Sequence, residues 1–81
     1  MLTQLSSGPR VVGAKQVKRA LESGDVQTVF LAADADPRVT DPLSALCLEK
    51  GVPVERVEAM TELGKACGIA VGSAVAALLN A

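Results

Sequence analysis

The sequence predicts an α/β domain in which a central sheet is covered by helices on both faces. Three observations predict it. Short unbroken apolar runs alternate with segments of helical period, and glycine and proline stand between them as stops. A chain of 81 residues that is 49% hydrophobic can also fill one core but not two domains. Residues 1–81 are therefore read as a single domain, with the small margin of stability that goes with its size.

The elements follow in order. Leu2 and Leu5 share one face of a short opening helix stopped by Gly8 and Pro9. Val11 and Val12 are a brief apolar pair. From Gly13 to Glu22, Val17, Ala20 and Leu21 recur at helical spacing, and Gly24 follows as the stop. Val29, Phe30, Leu31, Ala32 and Ala33 form a continuous apolar run, the pattern of a strand buried on both faces. Asp41 then reads as an N-cap with Pro42 at the first helical position. Leu43, Leu46 and Cys47 are the apolar stripe of that helix, Lys50 its last turn and Gly51 its end. Val54 and Val57 belong to another short strand. Thr61 is expected to cap a short helix that buries Leu63, Ala66 and Cys67 and closes at Gly68. Residues 73–80 fit helix or strand by periodicity alone.

Composition narrows the function classes. Phe30 is the sole aromatic residue, which excludes recognition built on aromatic platforms, such as RRM sheets and most single-strand binders. The chain has no histidine, so Ser-His and Cys-His catalysis are excluded. Cys47 and Cys67 form no C-x-x-C pair and fall at apolar positions of helical patterns. They read as buried free thiols of a reducing cytosol and not as zinc ligands, and no cofactor is expected. Residues 1–9 hold neither a basic n-region nor a long apolar h-region, so no export signal and a cytoplasmic location are expected. Residues 66–81 carry no charge, and Gly64, Gly68 and Gly72 stand at four-residue spacing. A membrane span needs about 20 apolar residues, so small-residue packing in the core is the expected explanation.

The net charge of −1 argues against a nucleic-acid partner, but its distribution argues the other way. Residues 1–21 hold Arg10, Lys15, Lys18 and Arg19 and no acid, whereas residues 22–81 hold four basic and nine acidic residues. A local positive patch on an acidic body suits short-range recognition of a phosphate-rich partner. Lys15, Gln16, Lys18 and Arg19 lie outward on the helix that opens at Gly13. A helix start is already partly positive, so Lys15 in the first turn is unfavourable by roughly 0.3–1 kcal/mol. An anion bound there would reverse that sign. Gly13 leaves room for close approach, and the Gln16 amide can donate and accept at a base edge. An ordinary solvated basic face would hold the same residues.

Asp34 and Asp36, directly after the buried run, are the main enzyme-like feature. Paired carboxylates at a strand's carboxyl end are where α/β phosphatases hold Mg²⁺ and a nucleophilic aspartate. The chain is short for that fold, no Ser/Thr-plus-Lys set accompanies the pair, and a turn at Asp36-Pro37 explains the same residues. The glycines of 64–72 form neither a dinucleotide fingerprint nor a P-loop. No enzymatic activity is expected.

Three segments in order carry a resemblance: Gly13-Ala14-Lys15-Gln16-Val17-Lys18-Arg19, Ala32-Ala33-Asp34-Ala35-Asp36-Pro37 and Leu63-Gly64-Lys65-Ala66-Cys67-Gly68. They resemble consecutive signatures of the kink-turn RNA-binding ribosomal protein family, the L-seven-Ae and L-thirty-e group, above all its small bacterial stand-alone members of the YbxF type. The resemblance covers nearly the whole chain. It implies a three-layer α/β/α sandwich around a four-stranded mixed sheet, with the last segment, about Ala74 to Leu79, as a strand. It also implies binding of ribosomal or regulatory RNA bent by a short bulge next to sheared G·A pairs. Gly13, Ala14, Lys15, Gln16 and Arg19 would lie in the major groove that the bend widens, against the G·A pairs. Asp36 would accept from the bulged base, and Glu58, Ala59, Met60, Thr61, Leu63 and Lys65 would close over that nucleotide. Archaeal and eukaryotic members usually have Asn-Glu where this chain has Lys15-Gln16, which is similar to the bacterial subgroup. The loop also differs in carrying Glu58, Glu62 and the small Ala59. No membrane or small-molecule partner is implied, and a monomer is expected. The alternative is a protein-interaction or oligomerisation module on the same fold without RNA binding.

Overall fold

The computed structural model describes residues 8–69 and 71–80. Among them β1 (Arg10–Val12), α1 (Ala14–Ser23), β2 (Val26–Ala32), α2 (Pro37–Lys50), β3 (Val54–Val57), α3 (Met60–Ala66) and β4 (Val75–Leu79) follow one another. The expected opening helix at Leu2 and Leu5 lies outside the described residues. The strands form one mixed sheet in the order β1-β4-β2-β3. β4 is antiparallel to β1 and β2, and β2 is parallel to β3. β1, β2 and β3 therefore point the same way, and each of the three helices starts where one of them ends.

The sheet carries a core on each face. On one side Val17 and Leu21 of α1 and Leu43 and Cys47 of α2 pack with Val29, Leu31, Val75 and Ala77. On the other, Leu63 of α3 and Cys67 pack with Phe30, Ala32, Val57, Ala76 and Leu78. Successive residues of a strand face opposite layers, and Val29, Phe30 and Leu31 are all at 0% exposure. The three-layer α/β/α arrangement is thus present, and the apolar run is the doubly buried strand its pattern predicts. The final segment is the central strand β4. Periodicity left it open because an uninterrupted Val-Ala-Ala-Leu-Leu run suits either state. Pairing with β1 on one side and β2 on the other decides it.

Two helix starts differ from the expectation. α2 begins at Pro37, not Pro42, with Asp36 as the N-cap whose carboxylate accepts from the Arg38 N–H at 2.9 Å. Asp36-Pro37 and Asp41-Pro42 carry the same local signal, and the earlier pair takes the cap. Pro42 then sits inside the helix, where it forfeits one bond to the Arg38 carbonyl. Both residues are on the exposed side, where water can satisfy that carbonyl. α3 begins at Met60 with Ala59 in the cap position and no cap from its own flank, so Thr61 is a first-turn residue and not the cap. Its leading N–H is taken instead by Asp34, 26 positions upstream.

The glycine spacing is explained by close approach. A Cβ on Gly64 would overlap the Val71 carbonyl, and one on Gly72 would sit 3.1 Å from the Met60 Cβ. Both glycines let the segment before β4 lie directly against α3. No helix among the described residues is long and apolar enough to cross a membrane.

Candidate functional site

The first two signature segments and the start of α3 meet at one end of the sheet, beyond the carboxyl ends of β1, β2 and β3, whereas the third segment, Leu63 to Gly68, runs away from it along α3. Open α/β sheets commonly offer ligands a crevice in that position. The backbone ties the segments together. Gly13 donates to the Val75 carbonyl at 3.0 Å, Ala32 to Ala74 at 2.9 Å, Ala33 to Val57 at 2.7 Å and Ser73 to Met60 at 3.0 Å. The start of α1, the 33–36 turn, the 58–60 loop and the 71–74 segment are therefore one contiguous rim.

α1 gives this rim its charge. Val17 and Leu21 are buried, which turns Lys15, Gln16, Lys18 and Arg19 to the exposed side. Lys15, Lys18 and Arg19 are spaced three and four apart and so share one face. Among the described residues no ion pair engages any of them, and the first turn of α1 contains no acid. Gly13, at φ 100° and ψ 148°, occupies backbone space that is essentially restricted to glycine. No side chain caps the helix. Its leading N–H groups, the positive end of its dipole and three cations thus face outward together, which is the arrangement that favours an anion.

The fourth basic residue of the patch goes elsewhere. Arg10 lies at the amino end of β1, and its Nε donates to the Cys67 carbonyl at 3.1 Å. There it satisfies the carboxyl end of α3 at the opposite end of the sheet. Arg10 has the same charge and sequence neighbourhood as Lys15, and only the path of β1 separates them.

The two aspartates are both engaged. Asp34 Oδ1 accepts from the Met60 N–H at 2.8 Å. Asp36 caps α2 and is paired with the Arg38 guanidinium, with Nη2 to Oδ2 at 2.8 Å. That guanidinium, with the Arg38 N–H, holds the Asp36 carboxyl below its ordinary range, and the pairing in turn raises Arg38. A bulged base that donates to Asp36 must therefore share it with Arg38. Carboxylates that receive the leading N–H groups of two helices act as structural caps, which removes the motive for the phosphatase-like reading. Among the described residues no group of three or more potential ligands gathers to hold a metal ion. Cys47 and Cys67 are buried free thiols, and burial pushes both above the ordinary thiol range.

Of the residues expected in the 58–65 loop, Glu58 and Thr61 are exposed, and Ala59 and Met60 are half-buried. Leu63 is a correction. Its side chain is at 0% exposure in the α3-side core, because the 60–66 helix turns it onto the sheet, so it anchors the loop from below. Lys65 is exposed but stands in the last turn of α3, roughly 7.5 Å along the axis from Met60 at 1.5 Å per residue. The rim also holds a residue that the sequence did not single out. Val71 is 71% exposed, although its carbonyl lies against Gly64 of α3 and the adjacent Gly72 lies against Met60. In an uncharged run it is indistinguishable from a core valine, and only the path of the chain brings it out.

A groove between α2 and the start of β3 is lined by Asp41, Ser44, Ala45, Leu48, Val52 and Val54. Its lining is mostly apolar and includes no cation, unlike the rim, where Lys15, Lys18 and Arg19 stand exposed.

The comparisons agree with this geometry. Residues 3–81 match the model of the ribosomal protein L7Ae/L30e/S12e/Gadd45 family. The chain is 44% identical over 76 residues to the RNA-binding protein YbxF of Geobacillus stearothermophilus, covering 94% of this chain and 93% of that one. It is 47% identical over 68 residues to an RNA-binding protein of Halalkalibacterium halodurans, covering 84% and 83%. The structure of the 15.5kD RNA binding protein of Giardia lamblia superposes with a TM-score of 0.92 at 29% identity, covering 99% of this chain and 71% of that chain. Motifs, topology and relatives converge, and the chain belongs to the ribosomal protein L7Ae/L30e/S12e/Gadd45 family.

Proposed function

We propose that this protein is a non-catalytic, cytoplasmic RNA-binding module that recognises and stabilises kink-turn RNA. The observation that carries the reading is the start of α1, an uncapped helix end with Gly13, Lys15, Gln16 and Arg19 on a rim shared with the 33–36 turn and the 58–60 loop. The relatives' names, RNA-binding proteins on a common fold, support an RNA partner. The cationic helix start enters the widened groove at the G·A pairs, and the opposite part of the rim, including Val71, meets the bulged nucleotide. Preferential binding of the bent form shifts the RNA's own equilibrium, which requires no catalytic group.

The protein acts as a monomer in this reading, and its edge strand β3 supports that. In an antiparallel pairing of β3 with a second copy, opposed side chains share a face, so the two-fold axis passes beside a single residue. Registers that pair three strand residues therefore oppose Glu55 to Glu55 or Arg56 to Arg56, and like charges directly opposed are unfavourable.

A titration at fixed salt tests the reading. A kink-turn RNA is expected to bind measurably and to lose affinity when its G·A pairs are made Watson–Crick. Equal affinity for both RNAs would sink it. Lys15→Ala and Arg19→Ala are each expected to weaken binding by about tenfold, the scale of one charge-assisted contact. Lys50→Ala, in the last turn of α2, is expected to leave affinity unchanged, and identical behaviour of all three variants would refute the site.

A further inference from the structure

We infer that Asp34 is a positioning residue of the RNA-binding rim, holding the 58–60 loop and the 71–73 segment in place opposite the start of α1 before any ligand arrives. The inference rests on the RNA-binding reading. Its basis is a continuous chain of hydrogen bonds. Asp34 Oδ1 accepts from the Met60 N–H at 2.8 Å. The Met60 carbonyl accepts from the Ser73 N–H at 3.0 Å. Ser73 Oγ donates to the Val75 carbonyl at 2.8 Å, and that same carbonyl accepts from the Gly13 N–H at 3.0 Å. The relay begins at the exposed turn after β2 and ends at the first residue before α1, so it crosses the whole rim.

The Met60 peptide is its junction. Gly72 packs closely against Met60, where a Cβ would sit 3.1 Å from the Met60 Cβ, so fixing Met60 also fixes the backbone beside the exposed Val71. A serine or threonine at position 59 would cap the start of α3 locally, through the N–H of Thr61 or Glu62, but it would tie α3 only to itself. Ala59 with a remote aspartate ties two walls of the rim together. A rim ordered in advance spares the cost of ordering it during binding.

Asp34→Ala, Asp34→Asn and the double variant Asp34→Ala/Ala59→Ser test this. Amide exchange in the free protein is read by NMR, thermal stability by melting, and affinity by titration with kink-turn RNA. Asp34→Ala is expected to speed exchange at Met60 and Ser73 and to weaken binding by about tenfold, the scale of one hydrogen bond to a carboxylate. Asp34→Asn keeps an oxygen acceptor and is expected to stay within about threefold of the parent. The double variant is expected to recover melting temperature, through a local cap, while its affinity stays low. Recovery of affinity together with stability would reduce Asp34 to a helix cap and overturn the inference. So would an affinity of Asp34→Asn as low as that of Asp34→Ala, which would mean direct contact through charge. Should the parent protein fail to bind the RNA, the RNA reading falls by itself. Unchanged exchange at Met60 and Ser73 in Asp34→Ala would then overturn the positioning role independently.

Discussion

The starts of α1 and α3 stand at the same end of the sheet and follow strands that run in the same direction, yet their chemistry is opposite. α3 receives an aspartate oxygen on its leading N–H, has Glu62 in its first turn and sends Leu63 into the core. α1 receives no cap, has no acid in its first turn and displays Lys15, Lys18 and Arg19 outward. A helix end that the protein satisfies by itself is part of the scaffold. One left positive and uncapped, at a local electrostatic cost, is the end to which the proposed RNA contact is assigned. The difference separates residues that hold the rim from residues that the proposed function assigns to the partner.

Substitutions can break this division, and they rank by expected size. Leu63→Ala is expected to be the largest, with a loss of about 2–5 kcal/mol of stability from the cavity left under α3, measured by urea unfolding. A loss of RNA affinity without that destabilisation would place Leu63 at the interface after all. Gly13→Ala comes next. An alanine held near φ 100° strains the start of α1 by about 1–3 kcal/mol. It meets no neighbour within 4 Å, so the cost should come from the backbone alone. Melting unchanged by this variant would mean that the turn relaxes readily.

The smallest effect is expected at the start of α2. The Arg38 guanidinium lowers the Asp36 carboxyl from its ordinary value of 3.8 in the folded protein. Its contribution to stability is therefore complete above about pH 4 and fades as pH falls through the lower folded value. Asp36→Ala is expected to flatten the acid limb of the stability–pH curve slightly and to leave the curve unchanged at neutral pH apart from a constant offset for the lost cap. An acid limb identical to the parent's would show that the pairing is absent in solution.

Much of the architecture was legible because it rests on local pattern. The doubly buried run at Val29–Ala32 and the stops at Gly24 and Gly51 are properties of a few adjacent residues. Misreadings arose where two local signals were equivalent. Asp36-Pro37 and Asp41-Pro42 both read as a helix start, and Thr61 offered a plausible cap that Asp34 supplies instead. The site was half legible. α1 advertises itself through charge and spacing, whereas Val71 and the engagement of Asp34 have no local signature.

The sequence by itself determined which segments before residue 73 are helices and which strands, the double burial of β2, and the basic face of α1. Side-chain chemistry at helical or strand spacing suffices for these. Tertiary structure alone decided that β4 is central, that Arg10 leaves the basic patch for the far end of α3, and that Asp34 reaches Met60 across 26 positions. Each of these depends on which distant backbone groups the sheet brings into hydrogen-bond range, and spacing along the chain carries no information about that.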